Sequence, residues 1–295
     1  MVKFYMMIGL PASTKTTYAY KIAERDKALV YSSDDLRVEL YGNINNQSHN
    51  EALFIELYKR IRDSLKAGKN VILDATNISY KKRISFLDTL KNIECDKIAI
   101  FMATPYEDCL RLNKLRERVV PEFIIKRMYE NFNVPQRFEG FDSIEIVWNT
   151  FGRTFDGFDL FDELDEMDQI TPYHTHTIGI HCKECYRICS KLSDNYELRI
   201  ASLFHDISKP FVQQWNDEKK RCTYYQHHLV SAYDAMFYLR EINQDSLLKI
   251  VNYIQFHMLP YNLISDKSKE KFIKLVGKEF FDNLLLLNYA DTNAH

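Results

Sequence analysis

Residues 6–19, MMIGLPASTKTTYA, decide the fold of the first half of this chain. An apolar run from Val2 to Ile8 stops at Gly9, and Lys15, Thr16 and Thr17 follow just before a segment of helical spacing. A strand, a tight loop and a helix start in that order form a phosphate cradle. Backbone N–H groups of the loop hold phosphate oxygens, the lysine reaches the outer phosphates, and the first hydroxyl ligates Mg²⁺. Gly9, Ser13, Thr14, Lys15, Thr16 and Thr17 are therefore the expected nucleotide-binding residues, with ATP and Mg²⁺ as their ligands. Ala12 and Thr14 stand where such loops usually carry glycine, and their side chains are expected to crowd the cradle.

Further along the chain, short apolar runs near residues 28–31, 70–74, 97–102 and 144–148 alternate with helical-period segments such as ALFIELYKRIRDSLKAG. This alternation predicts an α/β domain, a parallel sheet with flanking helices, over residues 1–150. Beyond Thr171 the apolar spacing is helical through residues 178–192, 197–207, 228–242, 246–258 and 269–290, which predicts an all-α domain over 171–295. Between them, FDGFDLFDELDEMDQ interleaves aromatic and acidic residues without one basic residue, and residues 151–170 are read as a linker. The first half carries a small positive net charge and the second a small negative one, so neither is a polybasic nucleic-acid binder. No run reaches the ~18 apolar residues that cross a bilayer, and the start has no cleavage-site pattern. The expected location is the cytoplasm, with no membrane partner.

Four segments of the first 148 residues resemble the polynucleotide kinases that phosphorylate 5′-hydroxyl ends. They are the P-loop, VYSSDDLR, NVILDATN and RLNKLRERVVPEFIIKRMYENF. The resemblance implies that Asp34 is the general base for the attacking hydroxyl and that Arg37 grips the neighbouring substrate phosphate. It also implies that Asp74 and Asn77 lie near substrate and metal water, and that Arg116 and Arg118 cover the ATP phosphates and neutralise transition-state charge.

Eight of the nine histidines lie after residue 150, so imidazole chemistry belongs to the second half. There, LRIASLFHDISKP sets His205 beside Asp206 and ahead of Lys209. This stretch resembles the signature of HD phosphohydrolases, and its wording is most similar to the HD domain attached to bacterial tRNA nucleotidyltransferases. The resemblance implies a metal set of His181, His205, Asp206, His227, His257 and Asp291, with Lys209 steadying a phosphate. His228 competes with its neighbour His227, and His174 and His176 are placed at the pocket mouth. Four imidazoles and two carboxylates suit one or two divalent ions, Mn, Fe, Ni or Co before Zn, with Asp206 able to bridge. Cys182, Cys185 and Cys189 lack a second CxxC pair, and their helical spacing reads as a buried core stripe rather than a zinc site.

Together these resemblances imply a bifunctional enzyme. One half phosphorylates 5′-hydroxyl ends from ATP, and the other hydrolyses 2′,3′-cyclic or 3′-phosphate ends. The ends would then be joined by an RNA ligase, with tRNA repair as one setting. RNA is preferred over DNA because a cyclic phosphate needs a 2′-hydroxyl. Two rivals stand beside this reading. One is an HD hydrolase of free nucleotides with a regulatory or degenerate P-loop, and the other is a binding protein whose P-loop only holds RNA or a partner.

Overall fold

The structure is a computed structural model that describes residues 1–46, 48–172, 175–263 and 265–294. Its contacts divide the chain into two compact units, Met1–Met128 with Pro135–Gly152, and Tyr129–Val134 with Arg153–His295.

The first unit is built on strands β1 (Lys3–Ile8), β2 (Leu29–Ser32), β3 (Val71–Asp74), β4 (Asp96–Ala103) and β5 (Ser143–Trp148). All pair in parallel, in the order β2-β3-β1-β4-β5. Helices α1 (Lys15–Asp26), α2 (Ser33–Tyr41), α3 (Asn50–Lys66), α4 (Tyr80–Asp88), α5 (Tyr106–Asn113) and α6 (Glu122–Glu130) are interleaved with them. A parallel sheet covered on both faces needs strands that are apolar throughout. The residues from Phe4 to Ile8 and from Val71 to Leu73 are accordingly all buried. Helix α3 presents Leu53, Leu57, Ile61 and Leu65 at a four-residue spacing, one apolar stripe for the core.

Strand order places the chemistry. Because β1 and β3 are neighbours, the loop leaving β1 lies against the chain leaving β3, and Gly9 N–H donates to Thr76 O at 3.1 Å. A Cβ on Gly9 would stand 2.7 Å from Ser13 Oγ and 3.1 Å from Met102 Cβ, so this close turn excludes a side chain. Ser32 at the end of β2 is in register with Asp74 at the end of β3, which brings the start of α2 to the same sheet edge. The expected strands and the observed ones differ only at their ends.

Beneath this edge lies a buried ion pair. Arg83 Nε and Nη2 donate to Glu139 Oε2 and Oε1 at 2.6 and 2.7 Å, and Arg83 Nη1 donates to Asn77 O at 2.8 Å. Burial pushes the Glu139 carboxyl up, against the pull of Arg83 and the Gln136 backbone N–H.

The second unit contains α7 (Gly157–Asp165), α8 (Ile178–Leu192), α9 (Tyr196–Phe204), α10 (Lys209–Val212), α11 (His227–Tyr238), α12 (Gln244–Phe256), α13 (Leu259–Asn262), α14 (Asp266–Val276) and α15 (Lys278–Thr292). Its helical reading holds, with one small departure. Strands β6 (Gln214–Asn216) and β7 (Arg221–Thr223) form a short antiparallel hairpin in a stretch of polar residues that has no helical apolar period.

The acidic stretch read as a linker carries α7, whose Phe161 and Leu164 are buried against the unit's own helices. Helix α7 lies so close to α8 that a Cβ on Gly179 would meet Asp165 N at 2.7 Å and Leu164 C at 2.9 Å. Two apolar residues one helical turn apart suffice to dock a helix, however acidic its outer face. Among the described residues no helix is long and apolar enough to cross a membrane.

Replacing Arg83 with Met should strand the Glu139 carboxyl in the core and lower unfolding free energy by about 3–5 kcal/mol. A urea titration followed by circular dichroism measures it, and an unchanged midpoint contradicts the role given to the pair.

Candidate functional site

At the first site, the loop between β1 and α1 folds back so that Lys15 Nζ donates to Leu10 O at 2.7 Å and to Ser13 Oγ at 3.4 Å. Burial pushes the Lys15 ammonium down, opposed by Asp74. Thr16 Oγ1 donates to Asp74 Oδ2 at 2.7 Å, so the hydroxyl and carboxylate that would hold Mg²⁺ and its water are already joined. Burial raises Asp74, and Thr16 and Lys15 oppose the rise. Ser13 is buried, Thr17 is exposed on the first turn of α1, and Thr14 is the N-cap of that helix.

Ala12 and Thr14, the two glycine substitutes, have φ of 63° and 65°. The difficulty that glycine would remove is therefore left-handed backbone strain, roughly 1–2 kcal/mol per residue, rather than crowding. A residue without any motif compensates. Asn149, directly after β5, donates from Nδ2 to Thr14 Oγ1 at 3.0 Å, Ser13 O at 3.2 Å and Thr104 Oγ1 at 3.3 Å.

Asp34 stands in the first turn of α2, capped by Ser32, whose Oγ accepts from the N–H groups of Asp34 and Asp35 at 3.2 Å each. It follows directly on Ser32 and Ser33, and Ser32 pairs with Asp74 across β2 and β3, which brings the start of α2 to the sheet edge that carries the cradle. Arg37 binds Asp34 at 2.8 Å and Asn50 at 2.9 Å.

Arg118 lies on Asp34 Oδ2 at 3.0 Å and on Asn45 at 3.0 Å. The Asn77 amide donates to Met7 O at 2.7 Å, where it satisfies a carbonyl near the end of β1. Arg116 is exposed, and its charge reaches Lys15.

In the second unit, the six expected metal ligands come together. None is more than 7% exposed. His181 comes from α8, His205 and Asp206 from the end of α9, His227 from the first turn of α11, His257 from the end of α12 and Asp291 from α15. Each imidazole Nδ1 faces a backbone carbonyl: His181 that of Ala294 at 2.8 Å, His205 that of Ser202 at 2.8 Å, His227 that of Tyr224 at 2.7 Å, and His257 that of Ile254 at 2.7 Å. A ring nitrogen beside a carbonyl must carry the proton, so all four Nε2 lone pairs are turned inward.

There they crowd one another. His181 Nε2 is 3.2 Å from His205 Nε2, and His227 Nε2 is 3.1 Å from His257 Nε2. Asp206 Oδ2 lies 3.3 Å from His181 and 3.2 Å from His205, while its Oδ1 lies 3.2 Å from His227 and 3.7 Å from His257. Asp291 Oδ1 completes the first group at 3.1 Å from His181 and 3.4 Å from His205. Two ligand sets result, His181/His205/Asp206/Asp291 and Asp206/His227/His257, with Asp206 common to both.

Lone pairs this close repel unless positive charge lies between them, so the donors fit a divalent ion in each set. The same demand shows in protonation. Burial would lower His205, but Asp206 and Asp291 outweigh it and raise its pKa to about 10. His257 is held well below its usual value by burial and by the charges of His205 and His227. Asp206 stays well below the carboxylate range despite burial, through His205, Lys209 and His227.

Lys209 Nζ lies 2.5 Å from Asp206 Oδ2 and donates to Gln169 Oε1 at 2.7 Å, so in this state it neutralises a ligand carboxylate. His228 lies outside both candidate sets, and burial and His227 lower its pKa to about 3. His176 gives its backbone carbonyl to Gln169, and His174 lies outside the described residues. Tyr261, which no motif marks, donates to Asp291 Oδ2 at 3.1 Å. Cys182, Cys185 and Cys189 are buried free thiols.

Residues 4–135 match the AAA domain family, and residues 178–291 match the HD domain family. The chain joins a kinase-like P-loop domain to an HD domain. An L-seryl-tRNA(Sec) kinase from Methanococcus maripaludis is 26% identical over 149 residues, which are 49% of this chain and 58% of that protein. The chain thus spans less than two thirds of that curated relative.

Among solved structures, the Pnkp1/Rnl/Hen1 RNA repair complex is similar at 23% identity and a TM-score of 0.37, over 43% of this chain and 42% of the matched one. A gluconokinase from Sinorhizobium meliloti 1021 is similar at 14% identity and a TM-score of 0.38, over 50% and 82%.

If the HD cluster holds divalent ions, adding Mn²⁺ to chelator-treated protein should raise its thermal midpoint, by about 2.7 kcal/mol of stability at a hundredfold excess over Kd. Asp206→Asn, which alters both ligand sets at once, should remove that gain. An equal gain in the variant, read by differential scanning calorimetry, refutes the shared-ligand arrangement.

Proposed function

We propose that this chain is a bifunctional RNA end-healing enzyme. Its kinase domain, residues 1–150, transfers the γ-phosphate of ATP to a 5′-hydroxyl. Its HD domain, residues 171–295, hydrolyses 2′,3′-cyclic phosphate or 3′-phosphate ends. The observation that carries the reading is the pairing, in one chain, of a phosphate cradle beside an acidic base with a two-set metal-ligand cluster that shares Asp206.

In the first reaction Asp34 accepts the proton of the attacking hydroxyl, and Arg37 steadies the adjoining nucleic-acid phosphate. Lys15 and Arg116 neutralise the charge that builds on the transferred group, and Arg118 leaves Asp34 for the same purpose when ATP is bound. Thr16 and Asp74 would hold Mg²⁺ and its water. In the second reaction, divalent ions would supply Lewis-acid polarisation of a phosphoryl oxygen and a more acidic water. His181, His205, Asp206, His227, His257 and Asp291 would hold them, with Mn, Ni, Co or Fe favoured by the nitrogen and oxygen donors. Lys209, released from Asp206, neutralises the phosphate.

A relative named for a kinase of L-seryl-tRNA(Sec) supports an RNA substrate for the P-loop half. Healed ends with a 5′-phosphate and free 3′-hydroxyl suit a downstream RNA ligase, and DNA ends are a weaker second substrate. A competing assignment draws on the strained Ala12 and Thr14. It has an HD hydrolase of free nucleotides with a regulatory P-loop.

The test uses the purified chain with ATP, Mg²⁺ and a 5′-hydroxyl RNA, and separately with Mn²⁺ or Ni²⁺ and a cyclic-phosphate RNA. Lys15→Ala should abolish the first activity alone, and Asp206→Ala the second alone. Hydrolysis of mononucleotides but not oligomers replaces this reading with its competitor, and a fully active variant refutes the site it alters.

A further inference from the structure

We infer that Asn149 is a positioning residue for the ATP cradle, standing in for the glycine that the loop lacks. The inference rests on the P-loop half of the proposed function, and its structural part can be read without ATP.

Thr14, directly before Lys15, needs the left-handed conformation that glycine adopts without strain, φ being 65°. With nothing to hold it there, a threonine would spend most of its time in other backbone wells and the cradle would be misshapen. One side-chain amide opposes this. Asn149 Nδ2 shares its two hydrogens among Thr14 Oγ1, Ser13 O and Thr104 Oγ1, and so fixes both the side chain of Thr14 and the carbonyl before it.

The amide is itself well anchored. Asn149 N–H continues the β4–β5 ladder by donating to Ala103 O at 2.9 Å, and Thr104 directly follows β4. The sheet thus holds the amide, and the amide holds the loop. Thr14 O in turn accepts from Tyr18 N–H at 3.1 Å, so the same residue opens α1. Because Asn149 donates to Thr14 Oγ1, the threonine's own hydroxyl hydrogen stays available for an acceptor in the cradle, which glycine could not offer.

A loop held in its binding shape only part of the time binds its ligand more weakly by that fraction. Asn149→Ala should therefore raise KM for ATP about tenfold while changing kcat less than threefold, since the amide touches neither the hydroxyl nor the transferred group. The decisive comparison is a double-mutant cycle with Thr14→Gly. With glycine at position 14 there is no strain to oppose and only the bonds to Ser13 O and Thr104 Oγ1 are lost, so adding Asn149→Ala should change KM less than twofold and lower the thermal midpoint by less than half of its effect beside threonine.

In the threonine background the same substitution should lower the midpoint by several degrees, measured by calorimetry without nucleotide. Equal effects of Asn149→Ala in both backgrounds overturn the inference and reduce Asn149 to a packing residue. A wild-type chain that shows the calorimetric coupling but neither binds nor uses ATP keeps the clamp, overturns its role in positioning ATP, and fails the P-loop half of the proposed function instead.

Discussion

Four hydrogen bonds from imidazole Nδ1 to backbone carbonyls set the character of the helical unit. Three of them are made to a carbonyl three residues back at a helix end, and the fourth joins His181 to Ala294, just past the end of α15. Helix ends thus do two tasks at once. Their carbonyls select the tautomer of each ring, and their convergence brings the rings to Asp206. Among the histidine and carboxylate groups in the cluster, Asp206 alone belongs to both sets, and Lys209 sets a cation against its carboxylate.

In the α/β unit the equivalent constraint is the adjacency of β1 and β3. Parallel pairing with this strand order puts the lysine loop, the Asp74 carboxylate and the start of α2 on one edge, and Arg83 and Glu139 lock the chain that leaves β3. The strain at Thr14 is opposed by neighbouring structure rather than removed, through a side chain far away in sequence.

Much of this was legible in the sequence. Continuous apolar runs mark buried parallel strands because both faces are covered, and the glycine-to-lysine spacing marks the cradle because its geometry is local. The residues that meet in the helical unit were legible as a group through the adjacent His205 and Asp206 together with the resemblance. What escaped was set by tertiary contact. Nothing in the local pattern of Asn149, Gln169 or Tyr261 shows what they touch, since each acts on a residue more than 25 positions away. The bonds of Asn77 to Met7 O and of Arg118 to Asp34 are hidden for a related reason, because a polar side chain takes the nearest unsatisfied partner and the sequence does not say which one that is. The acidic stretch was misleading as a spacer, since Phe161 and Leu164 count for more in docking a helix than the charges around them.

The thiol stripe of α8 bears on which ions the neighbouring centre would accept. Cys182 and Cys185 share a helix with His181, and burial holds both thiols well above their usual pKa. Neither thiol belongs to either donor group, so among the described residues an ion held there would meet imidazole nitrogen and carboxylate oxygen and no sulfur.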